Sequence, residues 1–162
     1  MSLESRLERL LAGHAAPLRE AVTASRLLLR AAHLLERHID AVLAPHGLTM
    51  RDYLALVLIA DEAHEPLRPS DLSITLDATR TQITRLLDGL EAKGLARRAP
   101  GVSDRRSLQL APTEAGTALL ATVAPAVRAS YLAAWAPLGE QGTQQTGLAL
   151  RRLHEHLAGD GA

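Results

Sequence analysis

The chain has 162 residues, 47% of them hydrophobic, enough for one domain with a sizeable core and too apolar for a disordered segment. It has no cysteine, which excludes disulfides and thiol-based redox sensing. With two tyrosines, one tryptophan and no phenylalanine, it also lacks the ring platforms on which single-stranded nucleic acid stacks. The formal net charge is zero, so affinity for a polyanion has to come from a local excess of basic residues.

The first residues, MSLESRLERL, are charged from position 4 and lack the apolar core of a secretory signal. No apolar run approaches the roughly 20 residues of a membrane span, so a cytoplasmic protein with no membrane partner is expected. Leu3, Leu7, Leu10 and Leu11 form a short N-terminal stripe. Leu27, Leu28, Ala31, Leu34, Leu35, Ile39, Val42 and Leu43 then give a face wider than one stripe, closed by Pro45 and Gly47, so this helix needs partners on two sides. Thr49 is placed to cap a second helix through Tyr53, Leu54, Val57 and Leu58, which stops near the loop from Pro66 to Pro69.

Residues 69 to 113 read as two short helices, a hairpin and the start of a third helix. Thr79 and Gln82 have the spacing of a capping box, and Gly94 supplies the stop. Between them Ile83, Leu86, Leu87 and Leu90 form one apolar stripe, while Thr81, Gln82, Thr84, Arg85 and Asp88 fall on the opposite side. Short hydroxyl and amide groups let a backbone approach a groove, and arginine reaches a phosphate or the edge of a guanine. A solvated amphipathic face is the plain alternative.

The hairpin adds to this. Leu95 to Ala99 and Ser107 to Ala111 are strand-length runs around a turn at Pro100 to Ser103, followed by Asp104, Arg105 and Arg106. A charged tip is costly to bury, and a guanidinium there suits the negative potential of a narrow minor groove. Asp104 would repel phosphates, but it can orient Arg106 through a charge-assisted hydrogen bond. From residue 78 to 113 there are seven basic and three acidic residues, a local excess of plus four.

Downstream, Thr113 starts a long helix with Leu119, Leu120, Val123, Val127, Tyr131 and Trp135, and Pro125 should bend it. A last helix from about Glu140 to Leu157 carries Leu150, Leu153 and Leu157. These terminal stripes are expected to join two subunits, burial within one monomer being the alternative. The fold class that follows is mainly α with a small β-hairpin: a winged helix-turn-helix plus a helical dimerisation region. Residues 1–47 form an arm and dimerisation helix, 48–112 a DNA-binding lobe, and 113–162 the C-terminal dimerisation helices.

Leu72, Leu76, Thr79-Arg80-Thr81, Thr84-Arg85, Leu90-Glu91, Lys93-Gly94-Leu95, Arg98, Asp104-Arg105-Arg106 and Thr113-Glu114, with Gly116, match in order the signature of MarR-type transcriptional regulators. Over roughly residues 25 to 157 the chain resembles that family, with flanks similar to its multidrug-efflux repressor branch. The resemblance implies a homodimer that places a recognition helix, Thr79 to Lys93, in each of two major grooves of a near-palindromic operator. Arg106 matches the wing-tip arginine and Asp104 its partner. DNA contacts are expected from Thr79, Arg80, Thr81, Gln82, Thr84, Arg85, Asp104, Arg105 and Arg106. Two positions depart from the pattern: Ala111-Pro112 is expected to shorten the second wing strand, and Asp77 stands where glycine is common, so the turn there is expected to be strained or reshaped.

The resemblance also implies a small aromatic or anionic effector between the dimer helices and the DNA-binding lobe. His38, Arg51, Tyr53 and Trp135 can offer ring or hydrogen-bond contacts there. Release by this effector would control efflux or aromatic-compound genes. The histidines lack chelating spacing, His154 and His156 facing different sides of one helix, and no nucleophile elbow or phosphate loop is present. No enzyme activity, metal or cofactor is expected. Two other readings remain: a helical dimerisation or scaffold module whose lobe binds protein, and an architectural DNA binder with equal affinity for any duplex.

Overall fold

Helix α1 (Ala16–Leu43) begins well before its first run of leucines and ends in a 3-10 turn, Ala44–His46. Pro45 opens that turn, and Gly47, in the left-handed region at φ 67°, closes it. Helix α2 (Met50–Ile59) starts on a full capping box: the Asp52 N–H donates to Thr49 Oγ1 at 3.2 Å, and the Thr49 N–H donates to Asp52 Oδ2 at 3.1 Å. The next N–H, that of Met50, donates to Asp40 Oδ1 on α1 at 2.6 Å, so the start of α2 is tied to α1. This computed structural model describes residues 9, 10, 12–61, 67–100 and 108–159.

Helix α3 (Pro69–Thr75) has proline in its first turn, where the missing N–H costs nothing, and Asp71 accepts from the Arg68 N–H at 2.7 Å. The turn after it puts Asp77 at φ 45°. This is the strained left-handed conformation expected from an aspartate in a glycine-like position. Helix α4 (Arg80–Ala92) follows Thr79 as its cap and ends before Gly94 at φ 68°.

The hairpin pairs β1 (Ala96–Pro100) with β2 (Leu108–Pro112) antiparallel, Arg98 opposite Leu110. Both strands lie one residue later than the sequence pattern places them. The expected shortening of the second strand does not occur, since Ala111 and Pro112 pair with Arg97 and Ala96. Pro112 is tolerated because it ends the ladder, where its missing donor breaks no interior bond. The Leu110 N–H donates to the Leu67 carbonyl at 2.9 Å, adding a third backbone segment beside the hairpin. Asp104, Arg105 and Arg106 lie outside the described residues, as do Leu3, Leu7 and Leu11.

Helix α5 (Glu114–Trp135) runs unbroken through Pro125, and after a 3-10 turn (Ala136–Leu138) helix α6 (Gly139–Gly159) follows. The chain divides into two compact units, Met1–Arg37 and His38–Ala162, the division falling inside α1. In the first unit Leu18, Leu27, Leu29 and Leu34 are exposed. The core of the second gathers Leu43, Leu56, Leu72, Ile83, Leu87, Leu90, Val123 and Val127. No residue of α6 is buried within the chain, so its Leu153 and Leu157 do not find cover in one monomer.

One sequence expectation needs correction. The stretch Glu114–Gly159 contains a helical window long and apolar enough to cross a membrane by length and composition. The expectation rested on uninterrupted apolar runs, and Thr122, Pro125 and Arg128 interrupt this one. The same helix buries Gly116, Val123, Val127 and Ser130 inside the protein, while most of the apolar window is exposed in the single chain.

Three elements meet at the start of α5. The Thr113 hydroxyl donates to the Gly94 carbonyl at 2.6 Å and accepts from the Gly116 N–H at 3.0 Å, while the Thr113 N–H donates to the Leu95 carbonyl at 3.1 Å. A Cβ on Gly116 would stand 2.0 Å from the Leu95 carbonyl oxygen. Gly116→Ala must therefore push α5 off the hairpin. It is expected to cost about 2 kcal/mol or more and to lower Tm by roughly 6 °C in thermal unfolding; an unchanged Tm would show that this contact yields freely.

Candidate nucleic-acid interface

The second unit presents α4 with its two faces resolved. Ile83, Leu87 and Leu90 are buried at 2%, 1% and 0% exposure, so the helix cannot roll. That fixes Arg80, Thr81, Gln82, Thr84, Arg85 and Asp88 on the outside, all exposed. Burying each aliphatic side chain stabilises by about 1.5–3 kcal/mol, well above the few tenths typical of a surface contact.

The cap restricts what two of these side chains can do. Gln82 Oε1 accepts from the Thr79 N–H at 2.8 Å and from the Thr79 hydroxyl at 3.1 Å, and the Gln82 N–H donates to Thr79 Oγ1 at 3.3 Å. The carboxamide oxygen is thus occupied, which leaves the Gln82 amide N–H groups pointing their chemistry at acceptors such as purine N7. Thr84 donates its hydroxyl back to the Arg80 carbonyl at 2.9 Å, so toward a ligand it offers a lone pair and a methyl group.

Counting charges along the sequence overstates the positive field. Arg98 Nη2 bonds Asp88 Oδ1 at 2.8 Å, Arg98 Nη1 pairs with Glu91, and the Arg98 backbone N–H donates to Glu91 Oε1 at 2.9 Å. Lys93 Nζ bonds Asp52 Oδ2 at 3.1 Å, tying the end of α4 to the capping carboxylate of α2. Arg98 and Lys93 therefore hold the recognition helix against the hairpin and α2, whereas Arg80, Arg85 and Arg97 are exposed. The sequence pattern assigned no such role to Arg98 or Lys93, because pairing across ten and forty-one positions leaves no local signal.

The four residues considered for an effector site separate. Arg51 lines a cleft of about 390 Å³ with Asp52, Gln82, Ile83 and Arg85, beside the recognition helix. Trp135 lines a different cavity, of about 540 Å³, where α5 turns into α6, together with Tyr131, Leu132, Glu140, Thr143 and Gln144. His38 is exposed on α1 and lines neither. Tyr53 is close enough to Tyr131 to act on its ionisation: burial pushes the Tyr131 phenol above its ordinary pKa, and Tyr53 adds to the rise. Tyr131 belongs with this group and was legible only as one apolar position of α5; its i, i+4 spacing to Trp135 was the available signal. Among the described residues no cluster of three or more His, Asp or Glu side chains is arranged to hold a metal ion.

A two-stranded wing behind a capped helix whose outer face carries Thr, Gln and Arg defines a winged helix-turn-helix. The sequence profile of the MarR family matches residues 46–107. The AbsC regulator of Streptomyces coelicolor, a MarR family transcriptional regulator, superimposes with a TM-score of 0.76 at 31% identity, over 85% of this chain and 93% of that one. CouR of Rhodococcus jostii RHA1, solved with p-coumaroyl-CoA, has a TM-score of 0.68 at 28% identity, over 78% and 88% of the two chains. The transcriptional repressor MprA of Escherichia coli K12 is 29% identical over 133 residues, 82% of this chain and 76% of that protein. The chain belongs to the MarR family of transcriptional regulators.

Two measurements check the geometry. Arg98→Gln leaves Asp88 and Glu91 without their shared partner, and chemical unfolding should show a loss of about 1–2 kcal/mol, against less than about 0.5 for Arg97→Gln; equal effects would mean Arg98 is not the clamp. For Tyr131 the folded state holds the phenolic proton more tightly than the unfolded chain. Its contribution is therefore complete below the ordinary value of 10.0 and declines as pH rises above it. Absorbance titration should place one tyrosine above that value, and Tyr131→Phe should remove that transition.

Proposed function

We propose that this protein is a homodimeric repressor that reads a near-palindromic operator and leaves it when a small ligand binds. The observation that carries the reading is the outward face of α4: Thr81, Gln82, Thr84 and Arg85 stand exposed on a helix that three buried aliphatic residues prevent from turning. In this reading Thr79, Arg80, Thr81, Gln82, Thr84 and Arg85 contact the major groove and its phosphates. Asp104, Arg105 and Arg106 form the wing tip at the minor groove. Repression is supported by similarity to MprA, itself a transcriptional repressor. Ligand release is supported by similarity to CouR, whose structure holds p-coumaroyl-CoA. Control of efflux or aromatic-compound genes, exerted in the cytoplasm, is the corresponding physiological role.

Dimerisation is supported by helices left without cover: α6 has no buried residue, and Leu27, Leu29 and Leu34 of α1 are exposed. Residues 1–47 and 113–162 are the segments assigned to the subunit interface, 48–112 to DNA. Two-fold symmetry would set the recognition helices one turn of duplex apart, about 34 Å, which makes a scaffold role the weaker reading of the same helices.

A gel shift with duplex from beside the gene tests this. The protein should give a salt-sensitive, sequence-selective shift; equal affinity for random duplex would indicate an architectural binder, and no shift would remove the DNA reading. Arg85→Ala should cost about 1–3 kcal/mol on the preferred sequence and relax the preference, whereas Arg106→Ala should weaken all sequences alike and reduce the salt slope by about 1.

A further inference from the structure

We propose that the cleft between the start of α2 and the recognition helix seats a backbone phosphate of the duplex, and that Arg51 binds it. The proposal rests on the DNA reading above, and it moves Arg51 from the effector group to the DNA-facing surface.

The cleft, of about 390 Å³, is lined from the start of α2 by Thr49, Arg51 and Asp52, and from α4 by Gln82, Arg85 and Leu86. All of these fall in the lobe assigned to DNA, and none in the helices assigned to the subunit interface. Arg51 and Arg85 are exposed. Two guanidinium groups thus share a hollow with one carboxylate, and that carboxylate is already engaged. Asp52 Oδ2 accepts from the Thr49 N–H at 3.1 Å and from Lys93 Nζ at 3.1 Å. What remains is a net positive hollow, which suits a singly charged phosphate diester.

That charge belongs to side chains and not to the helix end. The Thr49 N–H donates to Asp52, the Met50 N–H to Asp40 Oδ1 at 2.6 Å, and the Asp52 N–H to Thr49 Oγ1 at 3.2 Å. Three of the four N–H groups from Thr49 to Asp52 are therefore committed within the protein, and the planar fork of Arg51 is the group of this turn that can grip a phosphate oxygen.

The geometry of α4 says which part of a duplex meets it. At about 100° per residue, Thr84 and Asp88 lie toward one side of the outward face, Gln82 and Leu86 toward the other, and Arg85 between them. Asp88 is bonded to Arg98 of β1, so the hairpin holds the first side, and the cleft holds the second. A helix lying in a major groove about 12 Å wide has a row of phosphates along each flank. The wing takes one flank, and the first turn of α2 brings Arg51 to the other. Such a contact fixes the position of the protein on the duplex and carries no base preference of its own.

The test uses the intact protein and a duplex selected for tight binding from a random-sequence pool. Arg51→Gln should weaken binding to preferred and random duplexes alike, about fivefold at moderate salt, and lower the salt slope by about 1 for each subunit bound. Single phosphates are then replaced by uncharged methylphosphonates. The wild-type complex should weaken at one position beside each half-site where Arg51→Gln no longer responds, and Arg51→Lys should regain most of the salt slope. A variant that merely folded poorly would keep its response at every phosphate. An unchanged slope, a methylphosphonate pattern equal to that of the wild type, or an altered base preference would overturn the proposal and leave the DNA reading in place, whereas no shift by the wild type would remove both. Inorganic phosphate that stabilises the free wild type against heating but not Arg51→Gln, with equal duplex affinity for the two, would assign the cleft to a free anion and overturn the proposal as well.

Discussion

The lobe depends on one small knot of backbone, where the end of the recognition helix, the start of the hairpin and the start of α5 meet. Thr113 bonds to the Gly94 carbonyl, to the Gly116 N–H and to the Leu95 carbonyl, and Gly116 has no Cβ to hold that carbonyl away. Gly94 reverses the chain in a conformation open to few other residues. Because these bonds join three elements within a few residues, they set the angle between helix and wing together with the Arg98 clamp from the hairpin to α4. A duplex meeting α4 therefore meets the hairpin at a fixed offset.

Around that knot the charged side chains divide into two sets. Arg98 and the exposed Lys93 are paired with Asp88, Glu91 and Asp52 and tie α4 to its neighbours. Arg80, Arg85 and Arg97 are turned outward. The pairing with Asp88 matters in a second way: an exposed carboxylate on a face that approaches phosphates would repel them, and the guanidinium beside it offsets that charge. The local excess of basic residues thus acts partly as scaffold and partly as exposed positive charge.

How much of this was legible without coordinates depended on range. Thr79, Gln82 and Gly94 mark the limits of α4 through contacts three residues long, and the i, i+3, i+4, i+7 stripe of Ile83, Leu86, Leu87 and Leu90 fixes its inner face, so the recognition helix could be read directly. The hairpin was readable as a hairpin, but both strands sit one residue later than read, because Leu95, Pro100 and Pro112 at their ends fit either a turn or a strand and tertiary contact decides. The strain at Asp77 was visible as a departure from a glycine position. What could not be read was long-range: the Arg98 clamp, the Lys93 to Asp52 bridge, and the separation of Arg51 from Trp135, which share no periodicity. The apolarity of α5 was underestimated for a different reason, since Thr122, Pro125 and Arg128 interrupt its apolar run.

The bridge from Lys93 to Asp52 has a practical consequence. Lys93 is the single lysine of the chain, and its amine is already committed to the carboxylate that caps α2. Any reagent or enzyme that acylates lysine side chains has this one target, and neutralising it withdraws the tether at the far end of the recognition helix. Amine-coupled dyes and biotin esters that react at Lys93 rather than at an α-amine would therefore perturb the part of the molecule they are meant to report on, and attachment through an engineered cysteine, in a chain that has none, avoids that.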